Sequence, residues 1–258
     1  MSGFHYISAF LSYRKKALSK HGVHSPFVFD LVTKIFPRNR KEDISENIAE
    51  DWRTECSINN SIINVTDLGT GTSGPRKVAD IAAKAAKAPQ EGFLLHRIVK
   101  RFHPEKMLEL GTSLGITTLH EASATNFKKF ITLEGCPEIA AVAKSAFQKY
   151  RLPVEIRTGD FSKTLPTALN DIGKVDYVFF DGNHREKPTL EYFEMCLPFI
   201  HHNTLFIFDD IHWSEEMESA WGKIKAHSQV RLTLDLFHFG LVFFRAEQKE
   251  KEHFVLKF

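Results

Sequence analysis

The sequence predicts an α/β protein: a doubly wound, mostly parallel sheet of seven strands ending in an antiparallel hairpin, behind a mostly helical N-terminal extension. Three observations predict it. From residue 106 onward, short and nearly continuous apolar runs alternate with helical segments, as strands buried on both faces should. The strand ends carry carboxylates, and the first opens into a glycine turn. Residues 1–104 show mainly helical spacing and no such series.

The elements of the extension come first. Phe4, Ile7, Leu11 and Leu18 fall near one helical face, with Arg14, Lys15, Lys16 and Lys20 mostly off it. Such a basic amphipathic helix packs on its own protein or a twin subunit more often than on a membrane. In His21-Gly-Val-His24-Ser25-Pro26-Phe27, Ser25 and Pro26 read as an N-cap and first helical residue, for a helix running to about Phe36. His21 and His24 lie in the sort of irregular segment that can close over a substrate, and Phe4, Phe10 and Phe27 are candidates for an aromatic acceptor pocket. Ile44, Ile48 and Trp52 suggest another helical face, and Pro75 and Pro89 punctuate two more helices.

Five strands are then expected at Lys106–Leu110, Phe130–Leu133, Val154–Arg157, Val175–Phe180 and Thr204–Phe208. Helices separate them at about 116–126, 137–150, 162–171 and 188–199, with Pro137 and Pro188 in first turns. Ser214 caps a helix whose Met217, Ala220, Trp221 and Ile224 follow i, i+3, i+4, i+7 spacing. Val230–Phe237 and Leu241–Arg245, around Gly240, read as the closing hairpin. The division is therefore 1–104, a cap for substrate or dimer contacts, and 105–258, the ligand-binding domain.

Composition narrows the class. A chain of 258 residues, 43% hydrophobic, can bury one large core or one core plus a small accessory unit. No apolar run approaches the roughly 18 residues a membrane span needs, and the N-terminus lacks a signal-peptide layout, so a cytoplasmic enzyme is expected. Cys56, Cys136 and Cys196 are odd in number and form no Cys-x-x-Cys pair, which suggests neither a disulfide framework nor a zinc site. The net charge of +2 argues against a nucleic-acid partner. It is unevenly divided: residues 1–104 hold 16 Lys/Arg against 10 Asp/Glu, and the remainder holds 18 against 22.

Two segments compete as the ligand turn. Ile62–Gly74 and Lys106–Gly115 both run from an apolar stretch through an acid into glycines. A nucleotide-type cofactor also needs a second strand ending in an acid about 20 residues on, to take the ribose hydroxyls. Only the later segment has it: Phe130-Ile-Thr-Leu-Glu134 follows Gly111. The earlier one is assigned to a hairpin or loop of the accessory region, on the substrate side if at the site at all. Acids follow the later strands too: Asp160 in Thr158-Gly159-Asp160-Phe161, then Asp181, then Asp209 with Asp210. Any one could be a turn residue or cap. Four successive strand ends share one edge of such a sheet, where ligands bind.

This series resembles class I S-adenosylmethionine (SAM)-dependent methyltransferases, a Rossmann-like family, and within it the catechol O-methyltransferase-like and metal-dependent sugar O-methyltransferase group. The resemblance covers residues 105–245 and implies the following roles. Gly111, Thr112, Ser113 and Gly115 form the cofactor turn, and Glu109 orients the methionine amine. Glu134, with Gly135 beside it, accepts both ribose hydroxyls; Asp160 takes the adenine amino group, with Phe161 beside the ring. Asp181, which also borders the cofactor, joins Asp209 and Asp210 to hold Mg²⁺ or another divalent cation. The catechol-type enzymes have asparagine where this chain has Asp210, while the Asp-Asp version resembles the sugar and antibiotic enzymes. A metal would position an acceptor hydroxyl and lower its pKa. If Asp210 only caps the following helix, His184 or His212 could be the general base without a metal.

The reaction expected is methyl transfer to a hydroxyl of a small molecule. The alternatives are a metal-free SAM enzyme acting on a small molecule, protein or RNA, and a non-catalytic SAM-binding protein. The Asp-Gly-Asn-His sequence after the fourth strand lacks the Asn/Asp-Pro-Pro-aromatic tetrapeptide frequent in amino-methylating nucleic-acid enzymes, and the glycine spacing does not suit a dinucleotide dehydrogenase. The apolar face of the first helix leaves a homodimer open.

Overall fold

The computed structural model describes residues 3–37, 47–69 and 71–258, except the side chains of residues 3 and 4. The expectations placed on Ile44 and on the side chain of Phe4 lie outside these described residues. The chain forms two compact units, residues 1–37 with 173–258, and residues 38–172.

The first unit begins with α1 (Gly3–Lys16) and α2 (Pro26–Asp30), the latter continuing through a π-helical turn, Leu31–Ile35. Ser25 accepts the Val28 N–H and Pro26 opens the helix, as its sequence implies. The face of α1 that packs differs from the expected one. Ala9, Tyr13 and Ala17 are buried with Phe237, whereas Ile7 and Leu11 are 60% and 56% exposed. The aromatic rings decide this: Tyr6, Phe10 and Tyr13 all lie 5.0–5.2 Å from the Phe237 ring, and the Tyr13 hydroxyl donates to the Leu256 carbonyl. Phe27 instead packs edge-on to Phe243, with Arg245 over its face, and His21 and His24 are exposed.

The second unit holds α3 (Ile48–Ile58), β1 (Ile62–Val65), β2 (Gly74–Lys77), α4 (Val78–Ala85), α5 (Pro89–Phe102), β3 (Lys106–Leu110), α6 (Ile116–Ala122), β4 (Lys129–Glu134), α7 (Pro137–Lys149), β5 (Val154–Thr158) and α8 (Phe161–Ile172). Strands β3, β4 and β5 pair in parallel, in that order. Strands β3 and β4 are almost wholly buried, which is why their sequences are nearly continuous apolar runs. The extension is not purely helical: β1 and β2 form a separate antiparallel hairpin, and Pro75 sits in its second strand rather than before a helix. An edge strand of two tolerates the missing N–H. Trp52, Cys56, Val65, Ile81, Leu114, Ile116, Cys136 and Phe147 share one core, so α3, the hairpin and the β3–β5 layer fold together.

The first unit resumes with β6 (Tyr177–Phe180), α9 (Glu186–Cys196), β7 (Leu205–Asp209), α10 (Glu215–Ala226), β8 (Leu232–Asp235), β9 (Phe239–Phe243) and β10 (Glu252–Val255). Its strand order is β10-β8-β9-β7-β6. Strands β6 and β7 are parallel, β9 pairs antiparallel with both β7 and β8, and β10 runs parallel to β8. The doubly wound series thus has eight described strands, against the seven expected. The addition is β10, whose Glu-His-Phe-Val gives a weak strand signal and is ordered by its partner: His253 Nδ1 lies 2.8 Å from Thr233 Oγ1. The three cysteines are buried and unpaired; burial pushes the Cys56 thiol up to about 11 and that of Cys196 higher still.

Candidate functional site

The candidate site residues fall into two groups of side chains, one in each unit. In residues 38–172 it forms where β3 and β4 end. After Leu110 the chain turns back: the Gly111 and Thr112 N–H groups donate to the Leu133 carbonyl at 2.9 and 3.1 Å, and Gly115 closes onto the Thr112 carbonyl at 2.9 Å. Gly115 has φ +80°, and a Cβ there would press on Phe147 and Ala143 at 3.1 and 3.2 Å. Glycine is required on both counts.

Glu109 lies beneath this turn and is fully buried. Its Oε2 accepts from Thr118 Oγ1 and Thr132 Oγ1, each at 2.6 Å, and the Thr132 hydroxyl also meets Thr112 Oγ1 at 2.6 Å. Its Oε1 is buried with no hydrogen-bond partner. Burial pushes the carboxyl up to about 7, against the two threonine hydrogen bonds and the charge of Lys87. A buried carboxylate oxygen left open is a costly arrangement unless a cation or donor completes it.

Glu134 ends β4. Its two oxygens accept from the backbone N–H groups of Ser113 and Cys136, both at 2.9 Å. The Ser113 bond ties the two turns together. Burial raises the Glu134 pKa, backbone donors oppose this, and the negative charge of Asp67 adds to the rise. Gly135 follows, with Leu68 of the hairpin loop beside it. Asp160, after β5, is exposed and caps α8 by accepting the Ser162 N–H at 2.8 Å; hydrogen bonds from the Ser162 hydroxyl and then its N–H hold the carboxyl below the ordinary range, and Phe161 begins the helix, partly buried. Glu109, Gly111–Gly115 and Glu134 therefore form one hydrogen-bonded assembly, while Asp160 and Phe161 follow the neighbouring strand.

In the other unit, β6 and β7 end in the second group. One ligand atom each from Asp181, His184 and Asp209 lie within 4.8 Å of one another, and His184 Nε2 is 3.6 Å from Asp181 Oδ1. Asp209 is buried; the other two are partly so. Asn183 and Asp210 both have positive φ, 56° and 53°, which turns the chain sharply after each strand. Asp210 stands next to this trio, its carbonyl accepting the Trp213 N–H at 2.9 Å. The third member of the close set is His184, where the sequence had pointed to Asp210.

His212 occupies a different environment. Nδ1 lies 2.9 Å from Glu218 Oε1 and Nε2 lies 2.9 Å from Asp235 Oδ2. Burial alone would lower its pKa, but hydrogen bonds and charges from Asp235 and Glu218 outweigh that and raise it above the ordinary 6.5. Its ring also stacks on Phe237 at 5.3 Å. An imidazole held between two carboxylates is favoured as the cation, which donates rather than accepts protons. Trp213, 37% exposed, meets Tyr6 edge-on.

The residues present fit a cofactor with an ammonium group and vicinal hydroxyls. The open Glu109 oxygen suits the first, and the two-oxygen Glu134 carboxylate in its backbone cradle suits the second. Two carboxylates and an imidazole suit a divalent cation; the oxygens alone would favour Mg²⁺, and the imidazole extends the range toward Mn²⁺ or Zn²⁺. Sequence reasoning missed Thr118 and Thr132, the hydroxyls that hold Glu109. The signal was weak but present, since Thr132 faces Glu109 across the β3–β4 register.

Comparison with known proteins gives a consistent result. The family model described as a methyltransferase domain matches residues 108–211. A catechol O-methyltransferase of Niastella koreensis is 32% identical over 128 residues, which is 48% of this chain and 57% of that protein. An O-methyltransferase of Aspergillus hancockii is 24% identical over 146 residues, 54% of this chain and again 57% of the relative. The chain thus spans little more than half the length of these curated relatives. Among solved structures, a SAH-bound methyltransferase of Podospora anserina matches with TM-score 0.63 at 17% identity, covering 86% of this chain and 97% of the other. That likeness is one of fold.

Proposed function

We propose, from the methyltransferase domain that residues 108–211 carry, that this chain is a SAM-dependent O-methyltransferase acting on a hydroxyl of a small molecule. The observation that carries the cofactor assignment is the buried, open Oε1 of Glu109 beneath a glycine turn that is tied to Glu134. In this reading Glu109 holds the methionine ammonium, Gly111–Gly115 bring backbone close to the cofactor, Glu134 takes the ribose hydroxyls, and Asp160 with Phe161 serves the adenine end. SAM supplies an electrophilic methyl on a sulfonium. The protein's task is to hold an oxygen nucleophile in line with it and to remove its proton.

Asp181, Asp209 and His184 are assigned to the acceptor hydroxyl. A divalent cation held by the two carboxylates, with Asp210 or His184 completing the set, would lower the hydroxyl's pKa. A second reading is favoured by the 3.6 Å approach of His184 to Asp181: the aspartate orients the imidazole, and His184 takes the proton with no metal. His212, held as the cation between two carboxylates, already carries the proton a general base would have to take. Residues 1–104 are assigned to acceptor selection and dimer contacts. No described helix is long and apolar enough to cross a membrane, and a cytoplasmic place belongs to the proposal.

The test is calorimetric titration of SAM into EDTA-treated protein, then of Mg²⁺ or Mn²⁺ into the SAM complex. SAM binding is expected, with a separate metal heat that disappears in Asp209→Ala. A protein that binds SAM with no metal heat moves the proton to His184. No SAM binding overturns the proposal.

A further inference from the structure

The Ile62–Gly74 segment lost the contest for the cofactor turn, yet the fold places its hairpin against the winner. Asn64 N–H donates to Glu138 Oε2 at 2.6 Å and Thr66 N–H donates to Cys136 Sγ at 3.3 Å, so β1 is fastened to the residues directly after Glu134. At its end Asp67 folds back to accept the Gly69 N–H at 2.8 Å and donates its own N–H to Ser73 Oγ at 3.0 Å. That turn presents Leu68, an apolar side chain 48% exposed, directly over Gly135: a Cβ on Gly135 would lie 3.3 Å from Leu68 Cδ1. Helix α3, just before the hairpin, reaches the other turn. The buried indole Nε1 of Trp52 donates to the Leu114 carbonyl, inside Gly111–Gly115, at 2.8 Å, and Glu50 meets His120 of α6 at 3.0 Å.

Both turns assigned to the cofactor are thus held from outside by one segment of the extension. A Gly-rich turn gains binding strength when its shape is fixed before the ligand arrives, because the ordering cost is met in folding. An exposed leucine resting on a glycine next to the ribose acid would also exclude water from those hydrogen bonds.

We propose that residues 50–68 are part of the cofactor site, Trp52 as a positioning residue for the Gly111–Gly115 turn and Leu68 as the side chain that covers the ribose end at Gly135. The inference rests on the SAM reading above. It assigns this stretch of the extension to the cofactor rather than to the acceptor.

The experiment is calorimetric titration of SAM into wild type, Leu68→Ala, Leu68→Met and Trp52→Phe, with the melting temperature of each cofactor-free protein and the SAM KM and kcat recorded alongside. Leu68→Ala is expected to bind SAM about five-fold more weakly, with a raised KM and little change in kcat, at an unchanged cofactor-free melting temperature, since the side chain is half exposed. Leu68→Met restores affinity to within about two-fold. Trp52→Phe, which keeps a six-membered aromatic ring but loses the pyrrole and its N–H donor, weakens SAM by about five- to ten-fold. Wild-type affinity in Leu68→Ala overturns the proposal even if Trp52→Phe unfolds. Failure of the wild type to bind SAM overturns the functional reading instead.

Discussion

Replacing Glu109 by glutamine removes one buried charge and little else, because the amide oxygen can still accept from Thr118 and Thr132. In the cofactor-free protein Glu109 titrates near 7 rather than at the ordinary 4.5, with burial as the main cause. The folded state therefore holds this proton more tightly than the unfolded state does. Between about pH 4.5 and pH 7 the native protein binds more protons, so this group's contribution to stability falls as pH rises. At about 1.4 kcal/mol per pH unit, the full span corresponds to about 3 kcal/mol. Urea denaturation of wild type and Glu109→Gln without cofactor, in steps from about pH 5 to about pH 8, measures it. The stability of wild type relative to the variant should decline across that range by up to about 3 kcal/mol and then level. An ammonium placed on Oε1 would favour the charged form, so SAM binding near pH 6 should release a proton, seen as a dependence of the binding heat on the buffer's ionisation enthalpy. The variant should release none from this site and should bind SAM at least about ten-fold more weakly. Parallel stability curves for the two proteins, or wild-type SAM affinity in the variant, would refute both the buried-acid argument and the role given to Oε1.

Three further outcomes are expected. Asp209→Ala should cut turnover by at least about 100-fold while SAM affinity stays within a few-fold; loss of SAM binding in a folded variant would remove Asp209 from the acceptor side. Gly115→Ala forces a side chain into φ +80° against Phe147 and Ala143, and should cost about 1–2 kcal/mol in denaturant titration as well as weakening SAM. The raised pKa of His212 means that its pairing with Asp235 and Glu218 stabilises the fold fully below about pH 6.5, with the gain lost as pH rises through the higher folded value. His212→Gln should flatten that part of the pH–stability curve, and an unchanged slope would show the ring to be neutral.

What was legible in the sequence was local. Strands β3, β4, β6 and β7 announce themselves because burial on both faces leaves mostly apolar residues, and the Gly111–Gly115 turn because positive φ and close packing favour glycine. Ser25, Ser214 and Pro89 mark helix starts by capping chemistry that acts over three residues. What escaped was set by partners distant in sequence. Nothing near His212 reveals that Asp235, 23 residues on, takes its Nε2. Trp52 reads as an ordinary core residue until Leu114, 62 residues away, accepts its indole N–H. Helix α1 misled in the same way: Ile7 and Leu11 outrank Ala9 in hydrophobicity, but the Phe237 ring selects the tyrosine-and-alanine face. His184 was named from the sequence as a possible base beside Asp181, but its place with Asp181 and Asp209 in one close set shows only in the fold.

The burial of Cys56, Cys136 and Cys196 has a practical side. A thiol must ionise and meet solvent to be alkylated, and these three sit inside the protein, with Cys56 and Cys196 also held in the protonated form. The native protein is therefore a quiet background for maleimide chemistry. A fluorophore attached through Leu68→Cys, on the otherwise unaltered chain, would report from the tip of the hairpin without first stripping out the natural cysteines. Its emission, followed as SAM is added and as product accumulates, would time the arrival and departure of cofactor in a single turnover.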